Sequence, residues 1–306
     1  MRNPSTGPAG YFPDFRQREN AVAAHEGTKQ ATGRYSIRTT DGYSGRMSET
    51  SNETAASGDG KVCAVFGAGE YYGDMARALA ISAGAYVVAA DGGLDHVRAL
   101  GLTPDVVVGD FDSLEGGRPD AGTRTVTLPP LKDDPDMLSA LKIGWAAGYR
   151  EFHIWGGLGG RMDHTLANIQ LVALLARHGA IGYLHGDGTV ITAICDGELS
   201  FAAHPVPEAG HMISVFSHSD ISRDVNEPGL KYELLHGTLT NTMALGLSNE
   251  FRDGVEASVS VGDGTLVVTF PAEVPVPQMR RFRSFTREEA EGIGELDTEV
   301  SALLVR

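Results

Sequence analysis

The chain has 306 residues, of which 42% are hydrophobic, and a formal net charge of −15 at pH 7. This length suits about two domains, and the negative charge argues against a nucleic-acid partner. Two cysteines exclude a disulfide framework or a zinc cage and favour a reducing cytoplasm, and no apolar stretch suits a signal peptide or a membrane span. A basic cluster, Arg280, Arg281 and Arg283, is expected to be a solvated tail.

Residues 1–60 differ in composition from the rest of the chain. They contain no leucine, a single valine and a single isoleucine, and equal numbers of basic and acidic residues. A segment this poor in apolar side chains cannot bury enough surface to offset the entropy lost on ordering. We therefore expect 1–60 to be a disordered extension, with the net charge carried by the folded part.

From Lys61 the sequence alternates between apolar strands and helical patterns. Strands are predicted at KVCAVFGAG, AYVVAADGG, PDVVVGDFDS, TRTVTLPP and EFHIWGG, and helices at DMARALAISAG, LDHVRALG, DPDMLSALKIGWAAG and DHTLANIQLVALLARHG. Continuous apolar strands separated by helices are typical of a parallel sheet covered on both faces. The predicted fold of 61–180 is therefore an α/β domain.

After about Ile181 the helical patterns stop, and short β runs follow at GYLHGD, TVITAIC, HMISVFSH, KYELL, ASVSVG and TLVVTF. The region 181–275 is predicted to be an all-β sandwich domain, with a hairpin turn at Gly262–Gly264. In the tail, 276–306, a candidate helix begins with Thr286 as its cap and is interrupted by glycines.

Informative loops follow the predicted strands, at the edge where open parallel sheets bind ligands. Asp91-Gly92-Gly93 is either a tight strand-to-helix turn or a place where backbone N–H groups approach phosphate. In GDFDS, Asp110 and Asp112 alternate in extended chain and so point the same way. Such carboxylates suit Mg²⁺, which binds one or two of them plus substrate phosphates; the alternative is a solvated loop or an Asx-turn.

The third loop, LKDDPDM, precedes a predicted helix. Asp134 suits the N-cap and Pro135 the first helical position, which leaves Asp136 in the first turn. Helix capping accounts for Asp134, but it does not require Lys132 and Asp136 as well. Lys132 is a credible phosphate ligand.

The fourth loop, WGGLGGRMDH, holds four glycines followed by Arg161 and Asp163 at the start of a long helix. A backbone cradle with one cation and one carboxylate suits a polyphosphate and its metal. The glycine spacing fits neither a P-loop nor the dinucleotide fingerprint. His164 is a candidate nucleotide contact, whereas His153 lies inside a strand and is expected to pack in the core.

In this order, ADGG, GDFDS, KDDPD and GGLGGRMDH resemble the thiamine pyrophosphokinase (thiamine diphosphokinase) family, as do GLKYEL at Gly229–Leu234 and LGLSNEF at Leu245–Phe251. The resemblance covers roughly 62–270. It implies an α/β ATP-binding catalytic domain, a β-sandwich that binds thiamine, and a homodimer with active sites at the subunit interface. It also implies transfer of a diphosphoryl group from ATP to the thiamine hydroxyl, giving thiamine diphosphate and AMP.

The resemblance assigns residues to three roles. For Mg²⁺ and the chemistry it implies Asp110, Asp112, Asp136, Asp163 and Arg161. For ATP it implies Asp91, Gly92, Gly93, Lys132, Arg161, Gly156, Gly157, Gly159, Gly160 and His164. For thiamine it implies Tyr232, Ser248 and Asn249. Two positions depart from the family's pattern: Pro135 replaces a usual Thr, which we expect to tune affinity, and Tyr232 replaces a frequent Trp.

On this hypothesis the thiamine hydroxyl attacks the β-phosphorus of ATP, and AMP departs in line. Asp136 would orient or accept the hydroxyl proton and Asp163 would complete the metal shell, although these roles could be exchanged. Two alternatives stand beside it: a hydroxymethylpterin as the acceptor, or a non-catalytic nucleotide or thiamine sensor. The LSN pattern and the β region favour thiamine, and the intact acids argue against a sensor.

Overall fold

The structure is a computed structural model that describes residues 61–111, 116–117, 119–129, 133–206, 211–284, 286 and 292–296. All of them lie in one compact unit, Glu53–Arg306. Asp112 and Lys132, two of the predicted site residues, lie outside the described residues, as does the predicted extension 1–60. The division into domains at 180 and 275 stays a prediction.

The first half of the described chain alternates between strands and helices, as the sequence predicts. Its helices are α1 (Met75–Ser82), α2 (Gly93–Ala99), α3 (Asp136–Ala146) and α4 (Met162–Arg177). Its strands are β1 (Val62–Phe66), β2 (Tyr86–Ala90), β3 (Val106–Gly109), β4 (Arg124–Thr127), β5 (Glu151–Trp155) and β6 (Ile181–Gly186).

These six strands are parallel and lie in the order β6-β5-β1-β2-β3-β4. The chain builds outward from β1 to β4 and then returns to the other side of β1 with β5. Such a reversal opens a crevice beyond the carboxyl ends of the two strands that flank it. The topology therefore singles out the space beyond β1 and β5 as the place for a ligand.

Helices cover both faces of this parallel sheet. Helices α1 and α2 pack on one face, in a core that contains Phe66 and Trp155. Helices α3 and α4 pack on the other, in a core that contains Leu141 and Leu175. Burial on both faces explains why β1, β2 and β3 are almost continuously apolar, whereas the edge strand β4, RTVT, is mostly exposed. None of the helices in the described ranges has both the length and the apolar composition needed to cross a bilayer.

The second half consists of strands. They are β7 (Thr189–Phe201), β8 (Met212–Ser217), β9 (Ile221–Asn226), β10 (Gly237–Thr240), β11 (Gly246–Glu250), β12 (Ala257–Pro271) and β13 (Gln278–Arg281). These strands pair in antiparallel fashion, and β7 also pairs with β6, so that both halves share one hydrogen-bonded sheet. The fold is therefore mixed α/β with a large sheet, whereas the sandwich arrangement of the second half stays a prediction.

Two local predictions for the second half are wrong. Gly262–Gly264 is no hairpin turn, because β12 runs through it and pairs with β7 on both sides of a register shift between Val261 and Thr265. KYELL, residues 231–235, forms no strand. Residues 292–296 are not helical, at the glycines where the candidate C-terminal helix is expected to be interrupted; 287–291 lie outside the described residues, so that helix stays a prediction.

The basic cluster near the C-terminus is also not a solvated tail. Arg280 pairs with Glu198 over 2.7 Å, and Arg283 pairs with Asp196 over 2.6 Å. Arg281 donates to the carbonyl oxygen of Ala176 over 2.7 Å. These contacts fasten β13 and its extension to β7 and to the end of α4.

Candidate active site

A cavity of about 600 Å³ lies beyond the ends of β1 and β5, where the strand order reverses. Four stretches of chain line it: 67–70 after β1, 90–91 after β2, 135–137 before and in α3, and parts of 156–168 after β5. Each stretch lies at the carboxyl edge of the parallel sheet, because each follows a strand or leads into the next helix. The predicted ligand edge and the observed cavity therefore coincide.

The cavity collects most of the described residues predicted for ATP and the chemistry. They are Asp91, Asp136, Gly156, Gly157, Gly159, Gly160, Arg161, Asp163 and His164. Gly92, Gly93 and Asp110 do not line it. Gly93 has a packing role, because a Cβ there would collide with the carbonyl oxygen of Phe66, and its absence lets α2 begin close against β1.

Asp91 and Asp110 follow the neighbouring strands β2 and β3. The backbone N–H of Asp91 donates to the carbonyl oxygen of Val108 over 2.7 Å, and Asp91 adopts a left-handed φ of 48°. The extended chain ends at Gly109, and Phe111 has a φ of 63°. Phe111 therefore departs from the extended geometry that the prediction for GDFDS assumes, while Asp112 lies outside the described residues.

Two glycine loops press together at the floor of the cavity. The N–H of Gly69 donates to the carbonyl oxygen of Gly156 over 3.1 Å, and the N–H of Gly67 donates to that of Trp155 over 2.8 Å. Gly156 has a φ of 69°, and a Cβ on it would lie 2.5 Å from the carbonyl oxygen of Gly67. Only glycine fits this close approach of two backbones, which leaves room for a ligand above them.

Arg161 and Asp163 lie at the start of α4 and bind each other. Nη2 of Arg161 lies 2.5 Å from Oδ2 of Asp163, and Nε lies 3.2 Å from Oδ1. The hydrogen bonds from Arg161 lower the pKa of Asp163, and the same contact raises the pKa of the guanidinium. Both side chains are largely exposed at the cavity. A polyanion could therefore draw Arg161 away from this partner.

The acidic loop before α3 departs from the predicted capping. Pro135 occupies the N-cap position without a side-chain hydrogen bond, and the helix begins at Asp136. The Asp134 carboxylate, before the helix, instead lies 2.5 Å from Nζ of Lys142, inside α3. Asp136 stands in the first turn, where the helix dipole stabilises a carboxylate, and it lines the cavity.

Sequence reasoning missed two contributors to the cavity. One is the loop 67–70 after β1, which includes the carboxylate of Glu70. The other is Asn168 on α4, whose Nδ2 donates to the carbonyl oxygen of Gly157 over 2.8 Å. The glycines that end the first predicted strand could have indicated the loop, since that strand also ends at the ligand edge. Asn168 gives no comparable sign, because one amide on a helix is ordinary.

The prediction that His153 packs in the core is confirmed. Its Nδ1 lies 2.9 Å from Nε2 of His185, and its Nε2 lies 3.2 Å from the Glu151 carboxylate. The imidazole of His185 stacks on Trp155 with ring centroids 4.8 Å apart. Burial is the largest cause that holds the pKa of His185 well below its usual value, followed by His153 and Arg77.

The donor set at the cavity fits a hard divalent cation that also binds a nucleotide. Asp91 and Asp136, which carry hard carboxylate oxygens, both line the cavity. Among the residues that the structure describes, no three His, Cys, Asp or Glu side chains cluster closely enough to hold a metal ion by themselves. Mg²⁺ does not require such a cluster, because phosphate oxygens and water complete its octahedron around one or two carboxylates.

The residues predicted for thiamine line a different cavity, of about 310 Å³, in the β half. Tyr232, Ser248 and Asn249 all belong to it. Tyr232 is 61% exposed, as are several apolar neighbours: Leu235, Met243, Leu245 and Leu247 are each more than half exposed. Within one chain, the candidate nucleotide residues and the candidate thiamine residues therefore line two separate cavities.

Asn249 is occupied by contacts within the protein. Its Oδ1 accepts from the backbone N–H groups of Tyr232 and Glu250, over 3.0 and 2.9 Å. Its Nδ2 donates to the carbonyl oxygen of Tyr232 and to the buried Glu227 carboxylate, over 2.8 and 2.9 Å. These bonds use both amide hydrogens, so Asn249 is placed to hold Tyr232 in position, and the exposed Ser248 is the freer ligand candidate.

Known proteins were compared with this chain at the levels of sequence and fold. Residues 78–181 match the family model described as "Thiamin pyrophosphokinase, catalytic domain". No significant match is found among curated proteins. Thiamine pyrophosphokinase from Bacillus subtilis is 22% identical, with a TM-score of 0.60 over 70% of this chain and 100% of that one.

Two further solved structures share the fold. Thiamin pyrophosphokinase from Geobacillus thermodenitrificans is 22% identical, with a TM-score of 0.57 over 69% of this chain and 98% of that one. Thiamin pyrophosphokinase from Candida albicans is 14% identical, with a TM-score of 0.56 over 69% of this chain and 89% of that one. The resemblance predicted from the motifs is therefore confirmed: residues 78–181 are similar to the catalytic domain of thiamin pyrophosphokinases, and the fold is shared with solved structures of such proteins.

Proposed function

We propose that this chain transfers the diphosphoryl group of ATP to the hydroxyl of thiamine, in the presence of Mg²⁺, and releases AMP. The observation that carries the proposal is the cavity at the strand reversal between β1 and β5. It combines a glycine cradle, the largely exposed Arg161 and four acidic side chains, Glu70, Asp91, Asp136 and Asp163. A polyphosphate with a bound cation needs this combination, and the catalytic-domain match points to the same reaction.

The protein's part in such a transfer is positioning and charge neutralisation. The triphosphate would lie along the loops at 67–69 and 156–160, where close-packed glycines leave the backbone accessible. Arg161 would leave Asp163 and bind the oxygens of the diphosphoryl group, because that group carries more negative charge than one carboxylate. His164, on the same helix turn, would contact the nucleotide.

Asp136 is placed to handle the proton of the reaction. The thiamine hydroxyl oxygen bonds to the β-phosphorus, and the bond from that phosphorus to the oxygen shared with the α-phosphate breaks. AMP leaves with the electron pair of that bond, and the hydroxyl proton passes to Asp136 or through it to solvent. Asp163, freed from Arg161, is the alternative acceptor, as the two roles could be exchanged.

Four aspartates are the candidate ligands of the metal ion. Asp91 and Asp136 at the cavity, with Asp110 after β3 and Asp112 in GDFDS, would hold Mg²⁺, which supplies charge neutralisation for the leaving AMP when bound. Lys132, in the acidic loop, would add a second cation for the phosphates. Asp112 and Lys132 lie outside the described residues.

A homodimer would reconcile the two separate cavities. If the β half of one subunit lies against the nucleotide cavity of the other, thiamine held near Tyr232 and Ser248 meets ATP across the interface. The exposed apolar side chains around Tyr232 support this arrangement, because such patches on a folded chain mark interaction surfaces.

The two cysteines, both free and buried, suit the cytoplasm.

An AMP-release assay tests the proposal. ATP, Mg²⁺ and thiamine are supplied together and then with each one omitted, and thiamine diphosphate is measured in parallel. We expect equal amounts of AMP and thiamine diphosphate, and neither product when any component is missing. AMP formed with a hydroxymethylpterin but not with thiamine would show that the pterin is the acceptor and thiamine is not. Nucleotide binding without any product would support a sensor instead.

A further inference from the structure

We infer that Lys142 is a positioning residue for the acidic loop 133–136, and that the C-terminal segment 292–296 covers the ion pair through which it acts. The inference deepens the proposed function and rests on it, because the loop leads directly into Asp136. Neither Lys142 nor 292–296 lines the nucleotide cavity. Their effect on catalysis would therefore be indirect.

The ion pair joins the loop to the body of its own helix. Nζ of Lys142 lies 2.5 Å from Oδ2 of Asp134, and the two side chains are only 10% and 11% exposed. Lys142 lies six residues beyond Asp136, the first residue of α3. The pair therefore fixes the direction in which the chain enters α3, which has no capping side chain of its own. In helices generally, a capping side chain performs this task.

The position of that helix start matters for the cavity. Pro135, Asp136 and Met137 all line it. The Met137 side chain reaches the first glycine loop, because a Cβ on Gly67 would lie 2.7 Å from its Cε. A shift of the chain entering α3 would displace Asp136 and this contact together.

The C-terminal segment lies directly over the ion pair. Ile293 is 7% exposed and belongs to the same core as α3. A Cβ on Gly294 would lie 3.5 Å from both Cε and Nζ of Lys142, and one on Gly292 would lie 2.6 Å from Nε1 of Trp145. Because the segment limits the access of water, the attraction between Lys142 and Asp134 is stronger than it would be at an open surface.

The segment also lies beside β4 and α3. It lines a cavity of about 320 Å³ together with Val126 of β4 and the outer side of α3. Strand β4 is the edge of the parallel sheet, and Leu296 packs on the core beside it.

Binding of Mg²⁺ with a nonhydrolysable ATP analogue tests the inference without requiring turnover. In full-length protein, we expect Lys142→Met to raise the Kd of the analogue about 10-fold, because small displacements of a positioned group carry large costs. Lys142→Arg keeps the charge and should stay within about 2-fold of the original chain. Ile293→Ala should change the Kd in the direction of Lys142→Met, by less.

Arg280→Met provides a matched control, since Arg280 forms a 2.7 Å ion pair with Glu198 in the β half. It should leave the Kd unchanged. In the AMP-release assay, Lys142→Met should lower kcat/KM for ATP while Lys142→Arg restores it. A protein without thiamine-dependent AMP release would overturn the proposed function, and the analogue Kd would still decide on Lys142. An unchanged Kd in folded Lys142→Met, or an equal loss in Lys142→Arg, would overturn the inference.

Discussion

The side-chain amide of Asn168 donates a hydrogen bond to the carbonyl oxygen of Gly157 over 2.8 Å. This bond connects the loop WGGLGGRMDH to α4, the helix that follows it. Both residues line the cavity at the reversal between β1 and β5. The contact is buried, so that the loop's shape depends on a side chain two turns into α4. Asn168 is therefore a support for the cradle that the motif alone does not reveal.

Replacing this amide should loosen the loop. We expect Asn168→Leu to cost about 1–3 kcal/mol in the free energy of unfolding, because the buried carbonyl of Gly157 loses its donor. KM for ATP should rise, while KM for thiamine stays the same. Urea unfolding and steady-state kinetics measure the two effects. Full stability together with an unchanged KM for ATP would contradict the role given to Asn168.

The close approach of the two glycine loops gives a second prediction. Gly156→Ala should abolish nucleotide binding, because its Cβ would lie 2.5 Å from the carbonyl oxygen of Gly67 at a φ of 69°. Gly148→Ala is the matched control: its φ is 94°, and nothing lies within 4 Å of an added Cβ. The control should cost only the strain of the left-handed backbone, about 1–2 kcal/mol, and keep ATP binding. Equal ATP affinity in both variants would contradict the packing argument.

The buried His185 should make stability depend on pH. Burial lowers the pKa of His185 below its usual value of 6.5, so that the folded chain binds fewer protons than the unfolded chain when the pH falls below 6.5. The stabilisation is fully present above pH 6.5 and is lost as the pH falls toward the depressed pKa. His185→Phe keeps a ring against Trp155 and should reduce this slope, whatever its effect on absolute stability. Melting temperatures between pH 8 and pH 5 measure it, and an identical slope in the variant would contradict the assignment.

The thiamine segment should separate into a support and a ligand. Asn249→Ala should lower stability and raise KM for thiamine, because Tyr232 loses the bonds that hold its backbone and the buried Glu227 loses a donor. Ser248→Ala, at an exposed side chain, should raise KM for thiamine with stability nearly unchanged. Thermal unfolding and thiamine titrations distinguish the two. A destabilised Ser248→Ala, or an Asn249→Ala of full stability, would reverse these assignments.

The sequence predicts the α/β half well, because buried parallel strands are continuously apolar and their helices carry a clear period. The cavity residues at 156–164 follow from the same logic, since glycine and charged side chains at strand ends have few structural uses. Which side chains pair with each other is harder to predict from the sequence. Lys142 and Asp134 lie eight residues apart, and neither residue alone indicates that they meet.

The β half shows why local patterns fail there. GDG suggests a turn, yet β12 continues through it because β7 offers a partner along its whole length. KYELL alternates like a strand, but its backbone at Tyr232 bonds to the side chain of Asn249. The arginines after Pro277 suggest a solvated tail, whereas acids and a helix carbonyl across the fold hold them. In each place a distant partner overrides the local preference.

The central claim is that carboxylates at the reversal between β1 and β5 serve diphosphoryl transfer to thiamine. The most direct measurement is the rate of thiamine-dependent AMP release by Asp136→Asn at saturating ATP, Mg²⁺ and thiamine, with Asp263→Asn, at an exposed surface ion pair, as the control. We expect the first variant to lose about 10²–10³ in kcat and the control to keep the original rate. A folded Asp136→Asn that releases AMP at the original rate would contradict the account.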